Sequence, residues 1–140
     1  ICYLEESKKN VQSDVILMSV GLNRASNFFY TNPQKFLQVI NAEKILRRID
    51  NIYLIDSAGN ILISDSSLNK DNFSMPGEET FDEAITGVPV IIPGNFENKT
   101  SAMIKLNSLI DTYLYISRNV KPEILKYLKE TEKAVDFYYF

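Results

Sequence analysis

The stretch Asn-Ile-Tyr-Leu-Ile-Asp-Ser-Ala-Gly-Asn-Ile-Leu-Ile-Ser-Asp, residues 51–65, constrains the fold more than any other part of the chain. Two apolar runs rich in β-branched residues, Ile52–Ile55 and Ile61–Ile63, flank the polar break Asp56-Ser57-Ala58-Gly59-Asn60. Strand formers on both sides of a short loop whose Gly and Asn tolerate positive φ predict an antiparallel hairpin. Asp56 reads as the turn residue that hydrogen-bonds its own loop backbone, and pairing it with Asp65 for acid–base work has no further motif to support it.

Helical patterns lie on both sides of this hairpin. Val11, Val15, Met18, Leu22, Ala25 and Phe29 step by 4, 3, 4, 3, 4, a heptad seam that predicts a long helix over residues 1–30. Such a seam is satisfied either by packing on its own domain or by pairing with another helix, and the two are compatible. Removing residues 1–22 is expected to uncouple any signal the helix carries without unfolding the sheet. Thr31-Asn32-Pro33 stops this helix, and Pro33 suits the first turn of a second helix over 33–48. Its apolar face is Phe36, Leu37, Ile40, Ile45 and Leu46, and Arg47 and Arg48 sit at the negative end of its dipole.

Beyond the hairpin, Ser66–Glu79 reads as a polar surface loop. Thr80-Phe81-Asp82-Glu83 matches a capping box opening a short helix that Gly87 and Pro89 end. Val88–Ile92, Ser101–Leu106 and Thr112–Ser117 read as strands, with a turn from Pro93 to Thr100. Five strands with short connections favour antiparallel pairing, placing a sheet over residues 51–118. Pro122 opens a last helix over 121–140, in which Ile124, Leu128, Thr131, Val135 and Tyr138 again step by 4, 3, 4, 3. The fold class expected is α+β: one domain of 140 residues with a five-stranded antiparallel sheet, a long N-terminal helix, a second helix packed on it, and a C-terminal helix.

Charge and side-chain inventory exclude several functions. With 15 basic and 18 acidic residues the net charge is −3, without the basic stripe that nucleic acid as a partner demands. There is no histidine, which removes the commonest general base and metal ligand. The lone cysteine, Cys2, forms no internal disulfide and no Cys-rich zinc site. No catalytic residue, metal or cofactor is therefore expected. No apolar run of about 18 residues occurs to span a membrane. The chain opens without Met or a signal peptide, as a segment of a longer protein would. The ends Ile1-Cys2-Tyr3-Leu4 and Phe137-Tyr138-Tyr139-Phe140 suit helices that meet a membrane interface, the alternative being a core-packed terminal helix that happens to be aromatic. Both termini are expected to be membrane-adjacent, with the 140 residues between two spans.

Helix, antiparallel sheet, helix is the layout of PAS-like sensor domains. Residues 47–62, Arg-Arg-Ile-Asp-Asn-Ile-Tyr-Leu-Ile-Asp-Ser-Ala-Gly-Asn-Ile-Leu, resemble the central hairpin of extracytoplasmic PAS-like domains of the PDC or Cache type. The stretch from Tyr113 through Ser117-Arg118 and Pro122 to Leu125, followed by Thr131–Tyr138, is similar to the end of the periplasmic domain of NtrY-like sensor histidine kinases. The resemblance implies a bacterial inner-membrane kinase concerned with nitrogen regulation, dimeric in full, with this domain periplasmic. Its catalytic modules would lie elsewhere in the full-length protein and pass phosphate to a response regulator, a separate partner.

Alternation along the last strand places Tyr113, Tyr115 and Ser117 on one face and Leu114, Ile116 and Arg118 on the other. One sheet face must pack on the long helices. The other is free to line a small-molecule pocket, where Tyr53, Lys105, Tyr113 and Tyr115 offer hydroxyl and ammonium donors to an anionic ligand. These tyrosines serve equally as core residues. Arg118 either binds a carboxylate or braces the last helix by pairing with Asp50, Asp111 or Glu123. A ligand-free dimerisation module is the competing reading.

Overall fold

A computed structural model of the chain describes residues 2–64, 73–93 and 98–139. The elements run α1 (Cys2–Arg24), α2 (Ser26–Thr31), α3 (Pro33–Arg47), β1 (Asn51–Ile55), β2 (Ile61–Ser64), α4 (Glu78–Ala84), β3 (Val90–Ile91), β4 (Lys99–Lys105), β5 (Tyr113–Asn119) and α5 (Pro122–Tyr139). Five strands form one antiparallel sheet in the order β2-β1-β5-β4-β3. The expected α+β fold with a long N-terminal helix is thus observed. The first and last strands lie side by side at the centre, in register Tyr53↔Tyr115 and Leu54↔Leu114.

The hairpin forms as its turn chemistry dictates. Asp56 accepts from Ala58 N–H at 3.0 Å and Asn60 N–H at 2.9 Å, and its other oxygen accepts from the Asn60 amide at 3.1 Å. Only Gly59 takes positive φ, at 85°; Asn60 contributes by hydrogen bonding instead.

The N-terminal seam is buried within the domain. Val11, Val15, Met18 and Leu22 are fully buried and join Ile52, Leu54, Ala102, Ile104, Leu114 and Ile116 in one core. α1 therefore lies across β4 and β5, with α3 beside it over β1. Burying four such side chains is worth roughly 6–12 kcal/mol before entropy, comparable to the whole stability of a domain. The expectation that the sheet survives loss of residues 1–22 is accordingly corrected: the deletion strips one face of the core.

Several boundaries differ from those the sequence predicts. The first helix breaks at Ala25 (φ −92°, ψ 5°). The turn lets Phe29 meet Phe36 edge-on at 5.5 Å, so this last seam residue packs on α3 and is only half-buried. Asn32 caps α3 through its side chain, accepting from Lys35 N–H at 3.2 Å, and α3 ends on Arg48 in the left-handed region (φ 54°). α4 begins at Glu78 with Gly77 as its N-cap, so Thr80 is a buried residue inside the helix rather than the start of a capping box. Phe81 and Ala84 then point at the sheet. Gly87, at φ 93°, closes that segment as expected. β3 is shorter than predicted, and β4 and β5 are displaced by one or two residues. Part of the expected 66–79 loop and of the 93–100 turn lies outside the described residues. In the C-terminal seam Ile124 and Thr131 are half-buried, and the side chains of Leu128, Val135 and Tyr138 lie outside the description. Among the described residues, no helix is long and apolar enough to cross a membrane.

Candidate functional site

Period-2 alternation divides the sheet into two chemically different faces. The inner face, under α1 and α3, is aliphatic. The outer face carries Asn51, Tyr53 and Ile55 from β1, Tyr113, Tyr115 and Ser117 from β5, and Ser101, Met103 and Lys105 from β4. Strand register sets Tyr53 against Tyr115, Tyr115 against Met103 and Tyr113 against Lys105. α4 covers part of this face through Phe81 and Ala84.

Four of the five residues singled out from the sequence share that face. The rings of Tyr53, Tyr115 and Phe73 form a mutual cluster, with centroids 5.8 Å apart for the tyrosine pair and 5.0 and 5.4 Å from each to Phe73. Tyr113 meets Phe81 edge-on at 5.0 Å. All three tyrosines are buried. Burial pushes each phenol above its ordinary value; Tyr115 adds to this at Tyr53, Asp111 and Asp82 add to it at Tyr113, and a hydrogen bond with Ser101 opposes it at Tyr115. The hydroxyls therefore stay protonated at neutral pH and act as hydrogen-bonding groups rather than bases.

Tyr53 is the exception to polar satisfaction. Its side chain is 1 % exposed, and its hydroxyl is the one buried side-chain polar atom among the described residues without a hydrogen-bond partner. Leaving such a group unpaired costs about 1–3 kcal/mol, so it marks a place where a partner molecule would gain a hydrogen bond.

Lys105 is already engaged. Its Nζ donates to Leu106 O at 3.0 Å and to Leu109 O at 2.9 Å, and stands 5.6 Å over the Tyr113 ring. Burial lowers its pKa against the opposing pull of Asp111. It closes the 106–109 turn, and meeting an anion would require giving up those carbonyls.

Arg118 is on the other face. Its Nη2 donates to Asp14 Oδ2 at 2.5 Å and to Arg47 O at 2.6 Å, and its Nε donates to Arg48 O at 3.2 Å. The reading that it braces the last helix through Asp50, Asp111 or Glu123 is corrected: its partners are Asp14 on α1 and the carbonyls that end α3. Asp50 instead accepts from Asn119 N–H at 2.7 Å.

Sequence reasoning missed Phe73, Phe81 and the buried pair Asn51 Nδ2→Ser117 Oγ at 2.8 Å. Strand parity carried a signal for Asn51 opposite Ser117; nothing local announced Phe73, which reaches the face from a loop. Among the described residues no group of three or more Cys, Asp or Glu side chains is placed to hold a metal. Chemically the outer face offers aromatic surface, neutral hydroxyls and, among the described residues, one unpaired donor.

Comparison with known proteins gives this geometry a lineage. The family model described as the NtrY N-terminal region matches residues 2–139. The "Nitrogen regulation protein NtrY" of Azorhizobium caulinodans is 26% identical over 136 residues, 97% of this chain and 18% of that protein. The "Putative sensor histidine kinase NtrY-like" of Rickettsia bellii is 22% identical over 138 residues, 98% of this chain and 22% of that protein. The chain thus spans about a fifth of the length of these curated relatives. No solved structure matches it.

Proposed function

This chain belongs to the NtrY N-terminal-region family, and from that premise we propose that it is the extracytoplasmic sensing domain of a membrane-bound sensor histidine kinase. The remainder of the protein would carry the kinase chemistry and pass phosphate to a response regulator; this segment has no histidine to accept it. It would sit on the periplasmic side of the inner membrane as part of a homodimer, and nitrogen status is the stimulus that the name of one relative suggests. The α+β layout, with helices at both chain ends and a sheet between, supports a PAS-like reading of the domain.

The observation that carries the sensing role is the unpaired Tyr53 hydroxyl within the Tyr53–Tyr115–Phe73 cluster. A small molecule that accepts this hydrogen bond shifts the domain between two helix arrangements only by its differential affinity for them. Native mass spectrometry of the 140-residue chain tests this. A retained small molecule that Tyr53→Phe releases supports the reading. A bare chain that gains no mass from any candidate solute, and is unaltered by the substitution, overturns ligand sensing on this face.

One observation favours a second reading. Ile16, Leu17 and Val20 form an exposed apolar stripe on the outward side of α1, each 41–49 % exposed. A ligand-free dimerisation module would use it, and the same spectra distinguish the case as a bare, concentration-dependent dimer.

A further inference from the structure

The last two residues of β5 are held by different parts of the molecule, immediately before the chain enters α5. Asn119 is anchored through its N–H to Asp50 Oδ2 at 2.7 Å, which fixes it to the segment between α3 and β1. Arg118 points to the inner face and binds three groups at once: the Asp14 carboxylate of α1 and the carbonyls of Arg47 and Arg48 at the end of α3. Those carbonyls are the negative end of the α3 dipole, where a cation is favoured. One guanidinium therefore ties α1, α3 and β5 together, four residues before α5 begins its first turn.

We propose that Arg118 is a coupler through which the position of α1 is transmitted to the root of α5. The geometry permits a single register. Asp14 is the only acidic residue between Ser7 and Arg24, and the residues one turn away on α1 are Asn10 and Met18. An α1 displaced along its axis offers Arg118 no second carboxylate. Helix shifts in switching proteins run about 1–2 Å, and a hydrogen bond is lost beyond about 3.5 Å. A shift of that size is enough to carry Asp14 out of reach of a contact now at 2.5 Å. The contact is also breakable: the two side chains are 22 % and 20 % exposed, so water competes for both when they part.

The inference rests on the reading that both terminal helices carry the signal, and its test separates the two. Cys2→Ser removes the native thiol, and spin labels at Lys9→Cys on α1 and Glu123→Cys in the first turn of α5 report one distance by dipolar spectroscopy. Both labelled positions are exposed. Asp14→Asn and Arg118→Lys should each widen or displace the distance distribution. Glu5→Gln, which breaks the exposed Glu5–Lys8 pair at 3.8 Å, should leave it unchanged. A folded Asp14→Asn chain with an unaltered distribution overturns the coupler; should Arg118→Lys fail to fold, this nearly isosteric variant still decides. In the full-length protein, Asp14→Asn should change basal autophosphorylation by several-fold. A changed distance with unchanged output overturns the transmitting role of the contact, and an unsubstituted protein that does not autophosphorylate refutes the kinase reading while the distance still judges the coupler.

Discussion

The two faces of this sheet are built from the same strands, yet they are closed in different ways. The inner face is sealed by Val11, Val15, Met18 and Leu22 of α1 and Phe36 and Ile40 of α3, all buried and all apolar. The outer face adds three tyrosines to its apolar side chains, among them a hydroxyl without a partner among the described residues. β1 and the first five residues of β5 are buried on both faces, so exposure does not distinguish the two sides. Satisfaction does. An aliphatic interface gains stability from close packing alone and has nothing to offer a ligand. An aromatic and hydroxylated interface gives up some stability and retains hydrogen-bonding capacity. The domain is thus held together by packing on one side and keeps unused hydrogen-bonding capacity on the other.

Truncation of the inner face should have the largest effect. Leu114→Ala, fully buried against α1, should lower unfolding free energy by about 2–5 kcal/mol, the range for large-to-small core changes. Urea denaturation measures it; a loss below about 1 kcal/mol would mean that the helices do not seal this face. Arg118→Ala should cost about 1–3 kcal/mol, because it leaves a partly buried carboxylate and two helix-end carbonyls without their charged donor. If the contact is an independent surface pair, the loss falls within the 0–1 kcal/mol of exposed ion pairs.

On the outer face the sign should reverse. Tyr53→Phe removes a buried hydroxyl with no partner and should stabilise the ligand-free chain by about 1 kcal/mol, seen as a higher urea midpoint. A destabilisation of similar size would show that the hydroxyl is bonded in solution. Smaller still is the effect expected at the hairpin that joins β1 to the edge strand β2. Hydrogen bonds from Asn60, first through its side chain and then its backbone, hold the Asp56 carboxyl below its usual 3.8. A group with a depressed folded pKa contributes stability that is fully present above the unfolded value and is lost as pH falls through the folded one. Asp56→Asn should therefore flatten the melting temperature against pH below about pH 4 and leave the slope above it unchanged. Gly21→Ala should be nearly neutral. A methyl there lies 2.6 Å from Glu43 Oε1, the movable end of a side chain. The gain in helix propensity of up to about 1 kcal/mol offsets weakening of the Glu43–Arg47 pair. A loss above about 2 kcal/mol would show that the α1–α3 approach is rigid.

Much of this arrangement was legible in order. Alternation grouped Tyr113 with Tyr115 and set Arg118 on the opposite face, so the sequence already argued against one site containing all five candidates. The heptad seam named the residues of α1 that are buried, though not that their partner is the sheet and not another helix. The capping-box pattern misled because α4 begins earlier, with Gly77 at its N-cap, and Thr80 is buried inside the helix. Lys105 reads from the sequence as an ammonium donor to an anionic ligand; only the fold back of residues 106–109 supplies the two carbonyls that hold it.

Local pattern by itself determined the hairpin, the three long helical stretches, the five strands and the two-sided character of each strand, because dihedral preference and side-chain direction are set within a few residues. Pairings between distant segments belonged to the tertiary structure. Arg118 meets Asp14 across 104 residues, and Tyr53 meets Phe73 across a loop, because the angle at which α1 crosses the sheet and the path of the covering segments depend on how whole faces pack. Whether a buried polar group finds a partner is decided at the same level: hydrogen bonding needs specific atoms within about 3 Å, and no periodicity in a sequence records that distance.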